Sequence, residues 1–300
     1  MKLNRREFLK SSVVVLGAAT VSKEISSLFS QKGSVAEAAG STPVYEIYAL
    51  KYAGPLRRKL AVSLSQTGWD EEIDINMYLW AIKGKEEFIL VDTGGSPSLA
   101  AKRQLKNYVN PLDILARIGA NSQNVNKVII THLHWDHVGG VETFPKAFPK
   151  TTLYLQEIEF NFWLKDPMAK RNPFFRTWDG PAFKAFAALE GTDRLVLVRG
   201  DQEIMPGIEL LLTPGHTIGL QSVAVNTAKG TAIVASDCAH IARSFKDDNP
   251  SSLITDLVAW MKSYDKLRAK ASSIDLIFPG HDALMLTNYP KVAEDVTRLV

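Results

Sequence analysis

The sequence predicts an α/β protein built as a four-layer αβ/βα sandwich, two sheets face to face with helices on both outer sides. Three observations lead there. The elements come in the order strands, helices, strands, helices, with no internal repeat and no low-complexity linker. Several apolar runs are too short for helices and deliver the chain into His or Asp, which is how an α/β enzyme presents a site at its strand ends. The composition, 46% apolar and 22% charged with 19 Gly and 14 Pro in 300 residues, fits one large or two small globular domains and excludes disordered, collagen-like and coiled-coil chains.

Taken in order, residues 44–52, 60–66, 73–83 and 87–92 are rich in Val, Ile, Tyr, Leu and Phe, with Lys83-Gly84-Lys85 as a turn between the last two. They predict antiparallel strands joined by hairpins. Asp92-Thr93-Gly94-Gly95 ends the fourth run, and a helix is expected over 98–108 and another over 111–118, the latter opened by Pro111 and closed by Gly119. The short apolar run 127–131 predicts a buried strand running into His132. Another strand is expected at 152–155 and a helix at 156–164, followed by an irregular, proline-containing stretch over 165–181. Strands are then expected at 195–198, 208–212, 220–226 and 231–236, a long helix at 251–271, and a last strand at 274–278 leading into Pro279-Gly280-His281.

The N-terminus reads as an address. Asn4-Arg5-Arg6-Glu7-Phe8-Leu9-Lys10, the short apolar run Val13 to Val21 and the triplet Ala36-Glu37-Ala38 form a basic region, an apolar region and a cleavage site in the right order. The arginine pair resembles a twin-arginine export signal, which moves folded proteins across a bacterial membrane. Residues 1–38 are therefore expected to be removed, leaving 39–300 as a single working domain, periplasmic or extracellular. The apolar run is about half the length of a bilayer span, so no permanent membrane helix is expected. That segment carries six basic and three acidic side chains, and without it the formal charge of +3 disappears. A neutral remainder has no footprint for nucleic acid.

One cysteine, Cys238, permits neither an internal disulfide nor a thiolate cage, and reads as a small buried filler. Any metal must rely on His and carboxylates. Three of the six histidines fall in His132-Leu133-His134-Trp135-Asp136-His137. Three imidazoles packed together would repel when protonated and would each need partners, whereas a divalent cation removes both difficulties. In an extended loop His132 and His134 point the same way, while Asp136 and His137, past a bend, can address a second position. His216 in Thr213-Pro214-Gly215-His216-Thr217, Asp237 after 231–235 and His281 after 274–278 also stand just beyond strands. The donor types suit Zn, Fe or Mn.

This set, His-x-His-x-Asp-His followed by separate His, Asp and His, resembles the metallo-β-lactamase superfamily over residues 44–285. Thr213-Pro214-Gly215-His216-Thr217-Ile218-Gly219-Leu220-Gln221-Ser222 and Ser236-Asp237 are most similar to the N-acyl homoserine lactonase family. The resemblance implies a metallo-β-lactamase fold and two zinc ions. It implies His132, His134 and His216 as ligands of one, Asp136, His137 and His281 as ligands of the other, and Asp237 between them. Asp92, in the superfamily's strand-end Asp-Thr-Gly, would orient a ligand histidine; a plain turn aspartate is the alternative. It also implies a hydrolase acting on esters or lactones, with water activated by the metals.

One departure bears on the chemistry: the family's tyrosine three residues after the bridging aspartate is His240 here, which could replace the phenol as proton or hydrogen-bond donor or simply pack in a loop. Asp136 is a second candidate for carrying the proton. Oxygen-reducing diiron relatives carry Glu where this chain has His134, which favours hydrolysis. Trp135, inside the metal loop, is expected to line the cavity, with core packing as its alternative. Eight aromatic residues between Phe160 and Phe186 suggest an apolar lid, a subunit contact in a homodimer, or ordinary packing, and a pocket for hydrophobic substrates. The residues leave open an organophosphate triesterase, aryl esterase or phosphodiesterase on the same site, a mononuclear iron oxygenase acting on persulfides, and a metal-dependent binding protein.

Overall fold

The computed structural model describes residues 42–300; the export signal and cleavage triplet expected over residues 1–38 lie outside the described residues. Six strands come first: β1 (Glu46–Lys59), β2 (Glu72–Lys83), β3 (Phe88–Val91), β4 (Val125–Ile129), β5 (Thr152–Gln156) and β6 (Leu195–Val198). β7 (Gln202–Met205), β8 (Ile208–Leu212), β9 (Gln221–Thr227), β10 (Gly230–Ser236) and β11 (Ile277–Pro279) follow, and then β12 (Lys291–Ala293) and β13 (Val296–Arg298). One sheet has the order β12-β13-β1-β2-β3-β4-β5-β6 and the other β11-β10-β9-β8-β7. β3 to β6 run parallel, as do β10 and β11, and these parallel strands deliver their C-terminal ends to the same region.

Alternation along the strands builds the layers, because successive side chains leave opposite faces. Ile47 and Ala49 of β1, Val223 and Val225 of β9, and Ala232 and Val234 of β10 meet in one core between the sheets, together with Trp80 and Phe278. Their neighbours face outward. Leu50, Leu79, Leu90 and Val128 pack beneath helices of the first half, and Ala224, Ile233 and Ala235 pack against Trp260, Tyr264 and Leu267 of the helix Leu257–Lys270. The result is the expected α/β sandwich of four layers, with strands that are apolar on both faces because both faces are covered.

Local chemistry sets the helix ends. Ser96 caps Pro97–Arg103 by accepting from the Leu99 N–H at 3.3 Å, and Asn110 caps Pro111–Arg117 by accepting from Leu112 at 3.1 Å. The first of these is shorter than the expected 98–108, since Gln104 takes a left-handed φ of 53° and stops it. Asp256 caps Leu257–Lys270, so the long helix begins six residues later than expected and leaves 251–256 as a loop.

Other expectations are corrected. The strand expected at 60–66 does not exist: β1 continues to Lys59 and Leu60–Ser63 is a helical turn. There Leu60, Ala61 and Leu64 are buried while Val62 is exposed, a spacing of three to four that overrides β-favouring composition. Residues 274–276 form a 3-10 turn before β11. The stretch 165–181 holds the short turns Pro167–Lys170 and Asn172–Phe175, followed by an unforeseen helix, Gly180–Leu189. No helix among the described residues is long and apolar enough to cross a membrane.

Candidate metal centre

Two tight turns begin the site. Asp92, directly after β3, has a φ of +65°, and Ser236, at the end of β10, has one of +48°, both costly for residues with a Cβ and both held by buried contacts. The fully buried Asp92 carboxylate accepts the Thr131 N–H at 2.7 Å and the Thr131 hydroxyl at 2.8 Å, and takes the His137 Nδ1–H at 2.7 Å. Thr131 in turn stands 3.0 Å from His132 Nδ1 and 3.1 Å from the Ser236 hydroxyl, linking the two sheets at their strand ends. After His134 the loop closes into a helical turn, Trp135–Val138, held by the Tyr52 hydroxyl donating to the Asp136 carbonyl at 2.7 Å. That turn is the bend that separates His132 and His134 from Asp136 and His137.

The tautomers follow from partners that can only accept. His216 Nδ1 donates to the Leu253 carbonyl at 3.0 Å and His281 Nδ1 to the Asn76 carbonyl at 2.9 Å. His137 donates to Asp92, and His132 Nδ1 to Thr131, whose own proton goes to Asp92. Each of these four rings therefore aims its Nε2 inward, a lone pair whenever the ring is neutral. His134 enters in the opposite sense, its Nδ1 standing 3.0 Å from His216 Nε2.

These lone pairs converge on Asp237. Its Oδ2 lies 3.3 Å from His216 Nε2 and 3.9 Å from His132 Nε2, its Oδ1 lies 3.4 Å from His137 Nε2, and His281 Nε2 stands 3.1 Å from Oδ1 and 3.3 Å from Oδ2. Asp136 Oδ2 stands 3.7 Å from His281 Nε2 and 3.9 Å from His137 Nε2. Ligands held at about 2.0–2.1 Å in a tetrahedron are roughly 3.3 Å apart, so the spacing is that of atoms sharing a cation. Two groups result, His132-His134-His216-Asp237 and Asp136-His137-His281, and a third way of grouping joins Asp237, His240 and His281. Gly280 makes room: a Cβ there would sit 2.2 Å from Asp237 Oδ1.

A divalent cation fits this donor set. His132 Nε2, His137 Nε2 and Asp237 Oδ1 are buried without a hydrogen-bond partner, a cost that a cation would lift from all of them together. Without one, the charges settle by protonation. Burial and the neighbouring imidazoles pull His132 and His134 well below the usual histidine range, ready as neutral ligands. Burial also opposes charge on His137, but Asp237, Asp92 and Asp136 outweigh it and hold its pKa well above that range; Asp237 likewise raises His281. Asp237 is kept well below the carboxylate range by His281, His137 and His240 against its burial. Burial pushes Asp92 up despite its three donors.

A cavity of about 170 Å³ opens beside His134 and His216, walled by Trp163 and Phe174 on one flank and Leu253 and Ile254 on the other. Trp135, expected to line the cavity, is not among the residues that wall this one. Opening a helical turn, its ring packs on the first core and carries the Arg103 guanidinium at 4.1 Å. The aromatic segment divides: Phe160, Phe183 and Phe186 are ordinary core, Trp163 and Phe174 reach the cavity, and Phe175 and Trp178 stack on each other at the surface. His240 is buried, its Nε2 3.2 Å from Asp237 Oδ2, and burial pulls its pKa down to about 4. Cys238 is buried, and burial pushes its thiol up to about 12, far from nucleophilic use. Thr131 and Glu159, both fully buried at the ligand loops, went unnoticed in the sequence.

The comparison with known proteins agrees with this geometry. An N-acyl homoserine lactonase of Bacillus cereus is 26% identical over 226 residues, covering 69% of this chain and 82% of the relative. The lactonase AttM of Rhizobium radiobacter is 27% identical over 187 residues, covering 61% and 68%. Among solved structures, an N-acyl homoserine lactone hydrolase with N-hexanoyl-L-homoserine at its catalytic metal center matches with a TM-score of 0.67 at 22% identity, covering 83% of this chain and 98% of that one. The metallo-beta-lactamase superfamily profile matches residues 73–281, a span that opens in β2 and closes on the last histidine of the cluster, and the chain belongs to that superfamily.

Proposed function

We propose that the protein is a dinuclear zinc hydrolase that opens lactones bearing an apolar acyl chain. The observation that carries the reading is Asp237, one carboxylate approached by His132 and His216 at one oxygen and by His137 at the other, with His281 within 3.3 Å of both. The lactonases among its relatives supply the substrate class. His132, His134 and His216 would hold one ion, Asp136, His137 and His281 the other, and Asp237 both; iron or manganese would suit the same donors. When bound, such cations lower the pKa of water toward neutrality and polarise a carbonyl oxygen.

The chain's own residues do the rest. Asp92 and the Leu253 and Asn76 carbonyls hold three imidazoles in the ligand tautomer. Asp136, at 9% exposure the most open of the ligand set, can carry a proton at its carboxylate between the attacking water and the leaving alkoxide. His240 is neutral at pH 7, and nearby cations would only depress its pKa further, so its role is an N–H hydrogen bond to a substrate oxygen as charge builds there. Trp163, Phe174, Leu253 and Ile254 bind the acyl chain and exclude water beside the reacting bond. The segment 1–38 would export the folded, loaded enzyme by the twin-arginine route.

Metal analysis of the purified mature protein, with pH-indicator assays on lactones of increasing acyl length and on a phosphotriester, tests the reading. Two zinc ions per chain and acid release from the longer lactones are expected. Rapid phosphotriester turnover with inert lactones would overturn the substrate class, and a protein that takes up no divalent metal would overturn the whole.

A further inference from the structure

Glu159 is a carboxylate with no solvent exposure, in the first turn of the helix Glu157–Lys165. Its Oε1 accepts the backbone N–H of Leu133 at 3.0 Å and the Trp163 indole N–H at 2.7 Å. Its Oε2 accepts the backbone N–H of Gly219 at 2.8 Å. Leu133 lies between His132 and His134, after β4 of the first sheet. Gly219 follows His216 in the loop between β8 and β9 of the second. One buried side chain thus ties together the two loops whose His134 Nδ1 and His216 Nε2 stand 3.0 Å apart. The loop needs a glycine to come so close: a Cβ on Gly219 would lie 2.6 Å from the Glu159 nitrogen and 2.7 Å from its Cβ.

We propose that Glu159 is a positioning residue that sets the spacing between His134 and His216, and so supports the three-histidine metal site and not the Asp136-His137-His281 site. The inference rests on the two-metal reading above. Asp92 braces His137 of the second site directly and reaches His132 of the first only through Thr131, and it makes no contact with the Gly219 loop. A carboxylate is the side chain the place demands, because every partner is a donor. The burial that pushes the Glu159 carboxyl up is opposed by the Leu133, Gly219 and Trp163 N–H groups aimed at it and by the neighbouring Thr217 hydroxyl. Glutamine cannot substitute. With its oxygen toward Leu133 and Trp163, its NH2 group confronts the Gly219 N–H; turned over, it confronts the other two. Either way one loop is released.

The test compares the wild-type holoprotein with Glu159→Gln in cobalt(II) and zinc titrations against a competing chelator, with thermal melts of the metal-free and loaded forms. Wild type is expected to hold two ions tightly. The variant should hold one with wild-type affinity and the other about 10- to 100-fold more weakly, as for loss of a partner that orients a ligand. Its zinc-induced rise in Tm should shrink beyond whatever the metal-free Tm loses to the unpaired buried donor. Two ions held at wild-type affinity would overturn the inference, and so would equal weakening of both sites with a lower metal-free Tm, the mark of a general packing role. Should wild type itself take up fewer than two ions, the two-metal reading fails first and this inference with it. If the Gln variant does not fold, Gly219→Ala, which keeps the carboxylate but forces the loop away, must show the same selective loss.

Discussion

Replacing Asp92 by Asn tests whether imidazole tautomers, rather than ligand identity alone, make this a metal site. The carboxylate has three donors and no acceptor around it: the Thr131 N–H on Oδ1, and the Thr131 hydroxyl and His137 Nδ1–H on Oδ2, at 2.7, 2.8 and 2.7 Å. Asparagine is nearly the same size but offers one oxygen and one NH2. If the NH2 replaces Oδ1 it faces a backbone N–H that cannot change, and a buried donor left facing a donor costs about 1–3 kcal/mol. If it replaces Oδ2, the Thr131 hydroxyl can turn, but His137 must shift its proton to Nε2. That proton then occupies the lone pair aimed at Asp237 Oδ1, 3.4 Å away. Either outcome weakens one site, the first by displacing Thr131 and the His132 ring it holds, the second by turning the His137 lone pair away, by about 10- to 100-fold in zinc affinity, or roughly 1.4–2.7 kcal/mol. Competition with a chromophoric chelator at pH 7.5 reads the loss, and circular dichroism checks that the fold is intact. A folded Asp92→Asn protein with wild-type affinity at both sites would refute the tautomer argument.

Three further outcomes are expected. Chelator-stripped protein should melt lower at pH 9 than at pH 6.5, because His137 and His281 have raised pKa values; stability from such groups is fully present below the unfolded value of about 6.5 and lost as pH rises through the folded ones. Zinc replaces those protons, so the loaded protein should show a zinc-induced gain in Tm that grows over the same range, and parallel curves would contradict this. Phe174→Ala removes one wall of the cavity beside His134, and should raise KM about 5- to 30-fold for long-chain lactones, one to two kcal/mol of apolar contact, with little change for short ones. His240→Phe should lower kcat on lactones about a hundredfold with metal content unchanged, as for removal of one hydrogen-bond donor to a developing oxyanion; an unaltered kcat would take His240 out of the mechanism.

The clustering of these His and Asp residues was legible because its information is local: side-chain type, a six-residue spacing, and position just past an apolar run. The four layers were legible for the same reason, since β9 and β10 alternate toward two cores that each need covering. Trp135 misled because adjacency in sequence is not adjacency in a cleft; one helical turn sends it toward Arg103. Trp163 and Phe174, some thirty residues downstream, are the aromatics beside His134 and His216. What fixes the rings was harder still to read. His281 is oriented by a carbonyl 205 positions away, His216 by one 37 away and His137 by a carboxylate 45 away. Any residue supplies a carbonyl, so nothing in the identities of Asn76 or Leu253 marks them. Asp92 and Glu159 differ, because a carboxylate buried among donors has a chemical reason to be there. Asp92 holds His137 directly and His132 through Thr131 within the first sheet's loops, and Glu159 ties the His134 loop across to the other sheet. Ligands drawn from loops of both sheets need such braces, since a shift of a few tenths of an ångström between the sheets would move His216 relative to His134 while leaving every strand intact.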